Sequence, residues 1–521
     1  MEVIYSDSGE RRRVWMKKII ASLLAGAVLL TLLNLVRISP ARLEEDSLFV
    51  DDAGIAGTVD EEALYRELFD PDSEVDIAID ISKEQIANIQ KDYEYYSRMG
   101  AKSTTYRMAD SVTFTVNGKK YVIEEVGIRM KGSTSRCNFF NDVFGIYNLI
   151  NFRISFNRTF DDVSEYEMDA KVWDSEEERE QRQKRTFATL KTMELKWNIN
   201  ADNTYVRNGY VNEVFRDYGI PVQRSHLATM ALGGSRLGIY RFFEPIDENF
   251  IHRCFPQEDW GGDLYKVRGI DATPATFLPI TTYGINRKNK AEYYNYDLKT
   301  NQTTSRHESM RRLLEVINRP HVTREELDSV ADTDELALFS AINFAMGNQD
   351  DMRCNYNNLY VYFRQSDGKA VFIPYDCEVV MGATFVWNPP GNGLTEVSPY
   401  YDYNVRYDNN QENPLMRQVV IEGGYYTDQY TAYLREVAGS KWMDAQTFAA
   451  YYGPIAAHYS DKVISKYNFM STIHKNIEFS LEGGEAYNGN MSVAEFMEKM
   501  KENIAKHTEG AEKTEKTEGT D

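Results

Sequence analysis

The sequence predicts an α+β fold behind an N-terminal transmembrane helix, built as one large bilobal unit or as two to three domain-sized units. Three observations carry that reading. A chain of 521 residues, 42% hydrophobic and 13% aromatic, is ample to bury a core of that size. Stretches of period-two apolar alternation are interleaved with stretches of helical spacing. The run Ile19–Val36, IIASLLAGAVLLTLLNLV, carries no charge and approaches the ~20 residues that a spanning helix needs.

Arg11, Arg12, Arg13, Lys17 and Lys18 precede that run and the acidic LEED follows it. The positive-inside rule then makes residues 1–16 a cytoplasmic tail and 17–37 a cell-membrane anchor, with the main domain extracytoplasmic. The following VRISPARL offers no small-x-small site, which favours an uncleaved anchor over a signal peptide. Residues 38–70 read as an acidic linker with a helical patch at DEEALYREL.

The globular domain spans 71–485. Val75, Ile77 and Ile79 alternate as a half-buried strand, and Ser82 stands where a helix N-cap belongs. Asn117-Gly118 joins two strands as a hairpin, and LINFRISF is a further strand. DSEEEREQRQKRTFATLK is a solvated helix face, NTYVRNGYVNEVFRDYG a helix, and Gly233-Gly234 a second hairpin turn. GGDLYKV is a strand. A helix over DTDELALFSAINFAMGN leads to a loop, the strand LYVYF, a two-residue turn at Asp367-Gly368 and the strand AVFIP. Residues 486–521 are a C-terminal helix and a low-complexity tail.

A net charge of -21 argues against nucleic-acid binding, which needs a basic footprint. The 4 Cys form no C-x-x-C pair, which excludes zinc-ribbon and thioredoxin readings. They read as buried thiols, with a Cys354–Cys377 bridge left open. His226 and His252 lack metal-ligand spacing and read as structural.

The chemistry concentrates at GNQDDMRCNYNNLYVYF and FIPYDCE. Two acid-bearing loops lie at the same end of one β-hairpin, which brings Asp350 or Asp351 close to Asp376. Phosphoryl transfer needs such a group: one carboxylate takes the nucleophile's proton, and another holds Mg²⁺ together with an amide oxygen. Asp350 to Asn355 has the D-x-x-x-x-N spacing of a kinase catalytic loop. The alternative is that these Asp and Asn residues simply form turns. In RMKGSTSR, Gly132 and the N–H groups from Ser133 to Ser135 suit an anion-binding concavity, with charge from Arg129, Lys131 and Arg136; the alternative is a capped strand end. Lys266 is a further candidate cation.

In order along the chain, LFDPDSEVDIAIDIS, GIRMKGSTSR, INFRISFNRTF, the segment ending in GIYRFFEPID, GDLYKV, NNLYVYF, FIPYDCEVVMG and ENPLMRQVV resemble segments of the spore coat protein H (CotH) family of atypical protein-kinase-like enzymes. The resemblance covers about Leu68 to Val437. It implies a bilobal protein-kinase-like fold that binds ATP with Mg²⁺ or Mn²⁺ and phosphorylates Ser/Thr of coat or surface proteins. Asp350 resembles the catalytic-loop acid. Asp376 and Glu378 match the family's two acids after the hairpin, and Asn358 or Asn355 supplies the amide ligand. Arg129, Lys131, Ser133, Arg153 and Lys266 are the nucleotide-binding candidates, with Glu244 either pairing such a cation, sitting at a hinge near adenine, or serving in the core. Arg153 is the one cation on its strand, where the family carries several, and Tyr375 stands for its Trp. These departures leave two alternatives, a catalytically inactive scaffold and a glycan-binding surface protein.

Overall fold

Alternating strands close the N-terminal half of the sheet structure on itself. The computed structural model describes residues 59–509, except 101, 133–134, 142–145, 201, 268–276, 278–294, 384–391, 401–412, 465–466, 469–470, 476 and 484–490. Its first strands are β1 (Val75–Asp80), β2 (Arg107–Val116) and β3 (Lys119–Lys131), followed by the short pair β4 (Phe140–Asn141) and β5 (Ile146–Tyr147). Then come β6 (Asn151–Ser155), β7 (Thr192–Trp197), β8 (Ser225–Leu232) and β9 (Ser235–Phe243). Seven of these form a closed barrel in the order β1-β2-β3-β6-β7-β9-β8. All neighbours are antiparallel except β1 and β8, whose parallel pairing (Asp76 beside Thr229) shuts the barrel.

Each strand turns one set of alternate residues inward. Ile77, Phe114, Ile128, Phe152, Leu195 and Phe242 fill the interior. The helix Glu61–Leu68, in the stretch read as linker, adds Leu64, Tyr65 and Leu68 to this core. Ser82 accepts a hydrogen bond from Gln85 N–H and so caps the helix Lys83–Met99. Asn117 and Gly118 both take left-handed backbone angles, φ 50° and 81°, as a tight hairpin turn requires.

A second sheet, fully antiparallel, has the order β11-β10-β12-β13, from β10 (Leu264–Val267), β11 (Tyr296–Leu298), β12 (Leu359–Phe363) and β13 (Ala370–Pro374). Leu359, Val361 and Phe372 on one face join a large helical core built around the helix Thr333–Ala345. Tyr360, Tyr362, Ile373 and Tyr375 on the other face pack with Phe250 and Ile251 of the helix Glu248–Cys254. The helix Thr333–Ala345 is followed by Gly347 at φ 63°, where an added Cβ would lie 2.6 Å from the Gly393 carbonyl oxygen. Only glycine fits there, so it sets how the chain enters the acid-bearing loop.

The fold-class expectation is corrected in two respects. The barrel strands use both edges of their sheet, so the arrangement is a closed seven-stranded barrel with a mixed α/β remainder, and the described residues belong to one unit instead of the predicted bilobal kinase-like pair. Among the described residues no helix is long and apolar enough to cross a membrane. The predicted span Ile19–Val36, the tail 1–16 and Ser133 lie outside the described residues. The hairpin turn also differs: β12 and β13 are joined by residues 364–369, because Asp367 accepts from Arg364 Nε (3.2 Å) and Lys369 N–H (3.0 Å) and draws in a wider loop. The four cysteines remain thiols, Cys354 and Cys377 both buried.

Phe114 stacks on Phe187 at 4.3 Å inside the barrel. Phe114→Ala is expected to cost about 3–5 kcal/mol of stability, read as a lower urea midpoint with an unchanged slope.

Candidate active site

The alternation that fills the barrel also builds a polar outer wall. On β3 the outward residues between Ile128, Met130 and the strand end are Arg129 and Lys131. Across the ladder Arg129 faces Arg153, Arg153 faces Glu194, and Lys196 faces Arg241. Directly opposed residues share a face, so four strands present charges on one surface.

The hairpin β12–β13 delivers its acids to this wall. Tyr375 N–H donates to the Asn358 carbonyl (3.1 Å), and the Asn358 carboxamide donates to the Asp350 carbonyl (2.8 Å). The two acid loops are thereby laced together at one end of the hairpin. Asn358 and Asp376 hold φ of 59° and 61°, left-handed angles that L residues rarely adopt. Such strain is retained where surroundings enforce it, commonly at functional sites. Here the chain turns sharply after β13, and the Asp376 carboxylate meets the ammonium of Lys196. Lys196 also pairs with Glu378 at 2.9 Å, and Asn200 Nδ2 donates to the same Glu378 carboxylate at 3.1 Å.

Beside this triad lies a second group. Lys131 pairs with Glu194 and donates to the Tyr375 hydroxyl at 2.6 Å, and that hydroxyl donates on to Glu194 at 3.1 Å. Arg153 approaches Glu194 at 3.9 Å and donates to Thr192 at 3.1 Å. The Lys266 ammonium sits 3.8 Å from the centre of the Tyr375 ring. Counting only residues joined by these contacts, four cations meet three carboxylates. Lys131, Arg153 and Lys266 gathered around Tyr375 suit an anionic ligand.

The charges set each other's protonation. Burial works against ionised Glu194, but Lys131 and Arg153 outweigh it and hold the carboxyl well below its usual range. For Asp376, burial is likewise opposed and overcome by Lys196 and Lys131, so its carboxyl lies low. Glu378 moves the other way: burial and the Asp376 charge push it up. The two acids thus share one site with unequal proton affinity, as close carboxylates do. Asp376 and Glu378 keep 30% and 22% of their side-chain surface, whereas Lys196 keeps 6%, so the acids open outward and the cation is behind them.

The model of the CotH kinase protein family matches residues 151–479, which hold β6 to β13 and every member of the cluster except Lys131. The chain belongs to that family. Among curated proteins none matches it. The family match begins later than the segment resemblance and extends further towards the C-terminus.

A member of a kinase family is expected to use a nucleotide and a metal in general terms, and the donor set can be compared with that need. Asp376, Glu378 and the free oxygen of the Asn200 carboxamide are hard oxygen donors. Among the described residues no group of three or more His, Cys, Asp or Glu forms a metal site. Mg²⁺ usually takes one or two carboxylates and completes its shell with waters and substrate phosphates. The residues therefore fit an ion shared with phosphate and not a cage made by protein alone.

The structure distributes the sequence candidates unevenly. Lys131, Arg153, Lys266, Asp376 and Glu378 come together, with Asn358 and Asp350 tied to them through backbone bonds. Asp351 is committed elsewhere: its buried carboxylate accepts from Arg353 and Cys354 N–H and caps a short helix. That leaves Asp350, half-buried, as the acid on this loop. The side chain of Asn355 lies outside the described residues. Arg129 stacks over Tyr106 at 5.0 Å, at the far end of the wall. Glu244 accepts from Tyr65 (2.9 Å) and Arg224 N–H (2.7 Å) and pairs with Arg253 at 2.5 Å, a core-pairing role. Arg136 donates to the carbonyls of Gly132 and Met130, closing the strand end. Sequence reasoning missed Glu194, Lys196 and Asn200. The signal was TMELKW, where opposite charges two apart alternate with Met193, Leu195 and Trp197.

Burial pushes the Lys131 ammonium down to about 8, against the pull of Glu194. The group is charged below that value and neutral above it. Pyrophosphate affinity is therefore expected to fall from pH 7 to pH 9 by about tenfold, the worth of one charged hydrogen bond. In Lys131→Met calorimetry should find a shallower fall over the same range.

Proposed function

We propose that the chain is a phosphotransferase that moves the γ-phosphoryl group of ATP to a Ser or Thr hydroxyl of a protein. The observation that carries this reading is the meeting of Asp376 and Glu378, held by the buried Lys196 ammonium, with Lys131 and Lys266 against the Tyr375 ring beside them. Asp350 takes the proton of the acceptor hydroxyl as its oxygen bonds to the γ-phosphorus and the bond to the β-phosphate oxygen breaks, releasing ADP. Lys131, Arg153 and Lys266 bind the phosphates and offset their charge. Asn358 fixes Asp350 by holding its carbonyl. Asp376 and Glu378 would hold Mg²⁺ or Mn²⁺, which supplies charge stabilisation on the phosphate oxygens when bound. Catalysis of this kind rests on positioning and electrostatics.

A second reading, an inactive scaffold, is favoured by one observation: Lys196 already occupies both acids. The two readings part on titration of ATP into the full chain. Phosphotransfer predicts binding that strengthens with Mg²⁺ and weakens in Asp376→Asn. It also predicts that Asp350→Asn keeps ATP affinity while transfer falls by about 10²–10⁴-fold. A folded protein that binds no ATP with or without Mg²⁺ would establish the scaffold.

A further inference from the structure

On β3, Gly127, Arg129 and Lys131 share the outer face, since alternate strand residues do. A Cβ at Gly127 would lie 3.0 Å from Arg158 Cγ and 3.1 Å from Tyr106 Cβ. The bare glycine thus lets Arg158 and Tyr106 lie across the strand beside Arg129. Both guanidiniums use the same ring: Arg158 stands 4.2 Å and Arg129 5.0 Å from the centre of Tyr106. They are therefore at most about 9 Å apart. One tetrahedral anion bridges such a span, with hydrogen bonds of about 2.7–2.9 Å at each end. Tyr106 is buried, whereas both arginines keep part of their surface in solvent.

This spot is rich in cations and poor in acids. Arg129 directly opposes Arg153 on β6, and like charges so placed repel. Arg153 has Glu194 at 3.9 Å. Among the described residues no carboxylate forms an ion pair with Arg129 or Arg158, and Arg129 Nε is buried without a hydrogen-bond partner. Burial and Glu165 raise the neighbouring Tyr166 hydroxyl, but Glu165 pairs with neither arginine. Burial also works to raise the Tyr106 hydroxyl, yet Arg129, Arg153 and Arg158 outweigh it and bring the group down to about 8. Two guanidiniums without carboxylates suit a dianion better than a single carboxylate. A phosphate monoester carries about -1.5 to -2 at neutral pH and offers three acceptor oxygens to planar forks.

We propose that Arg129 and Arg158, set on Tyr106, bind the phosphate monoester of a phosphorylated Ser or Thr in the acceptor segment, so that the protein favours acceptors already phosphorylated nearby. The proposal rests on the phosphotransfer reading for the meaning of acceptor, but the arginine pair binds or fails to bind phosphopeptide by itself. Arg129 and Gly127 lie two and four residues from Lys131 along β3, or ~7–14 Å. That distance corresponds to about two to four extended residues between the bound phosphate and the transfer site. Arg129 and Arg158 are binding residues and touch no reacting atom.

The test is calorimetric titration of Ser-centred peptides into the full chain, with no turnover required. A peptide with one phosphoserine two to four residues from the central Ser should bind wild type about tenfold or more tightly than its unphosphorylated form, the worth of one charge-assisted bond. Its Asp counterpart should fall short of that. Arg129→Met should erase the preference while Mg²⁺–ATP affinity persists. It should fold, since it relieves the repulsion with Arg153; should it not, Arg158→Met removes the other half of the pair and should erase the preference equally. A wild type indifferent to phosphorylation, or a preference surviving in the folded variants, overturns the proposal. Inorganic phosphate competing as well as the phosphopeptide would reduce the site to one for free anion and overturns the acceptor assignment. Loss of Mg²⁺–ATP affinity in Arg129→Met would assign the pair to the nucleotide and overturns it too. Absent ATP binding with Arg129-dependent phosphopeptide binding would reject phosphotransfer alone and leave the phosphate site standing.

Discussion

One ion triad joins the two halves of the described structure. The ammonium of Lys196, carried on the barrel wall, is held by Asp376 and Glu378, carried on the turn that follows the β12–β13 hairpin. Removing one partner of a buried pair typically costs about 3–5 kcal/mol, because the other charge is left without compensation. The triad is therefore costly to break one partner at a time, and it fixes the position of the hairpin's acids against the wall. It also keeps two carboxylates pointing outward, which a purely structural salt bridge would not need.

Barrel closure makes this possible. A sheet closed through β1 and β8 has an interior filled by one set of alternate residues, so its other set is released for polar work on the outside. Lys131, Arg153, Glu194, Lys196 and Arg241 are that second set on four adjoining strands. The second sheet then covers them with aromatic rings. Tyr375 alone touches Lys131, Glu194 and Lys266, and its ring lowers the local dielectric that makes each charge count. Charges this close in a dry setting are preorganised, which is what transfer of a phosphoryl group asks of a protein.

Much of the local structure was legible in the sequence. Val75, Ile77 and Ile79, the Ser82 cap, the Asn117-Gly118 turn and the strands around Asp376 all carry signals within a few residues. Closure of the barrel carries none, since it joins residues 76 and 229 and depends on edges that no local pattern describes. The turn before β13 was misread because Asp367 gathers backbone N–H and Arg364 together, a side-chain effect that the dipeptide Asp-Gly does not announce. Glu194 and Lys196 escaped because charges on a strand buried on both faces break the rule that outward positions are solvated. Their alternation with Met193, Leu195 and Trp197 was visible; their burial came only with the second sheet.

The most direct test of the account is anomalous diffraction from Mn²⁺ in crystals grown with a non-hydrolysable ATP analogue. A Mn²⁺ peak is expected between the Asp376 and Glu378 carboxylates, sharing oxygens with the phosphates, with the Lys196 ammonium moved off the acids towards the phosphate chain. A peak elsewhere, with Lys196 still bonded to both carboxylates and the nucleotide distant from Lys131 and Arg153, would contradict it.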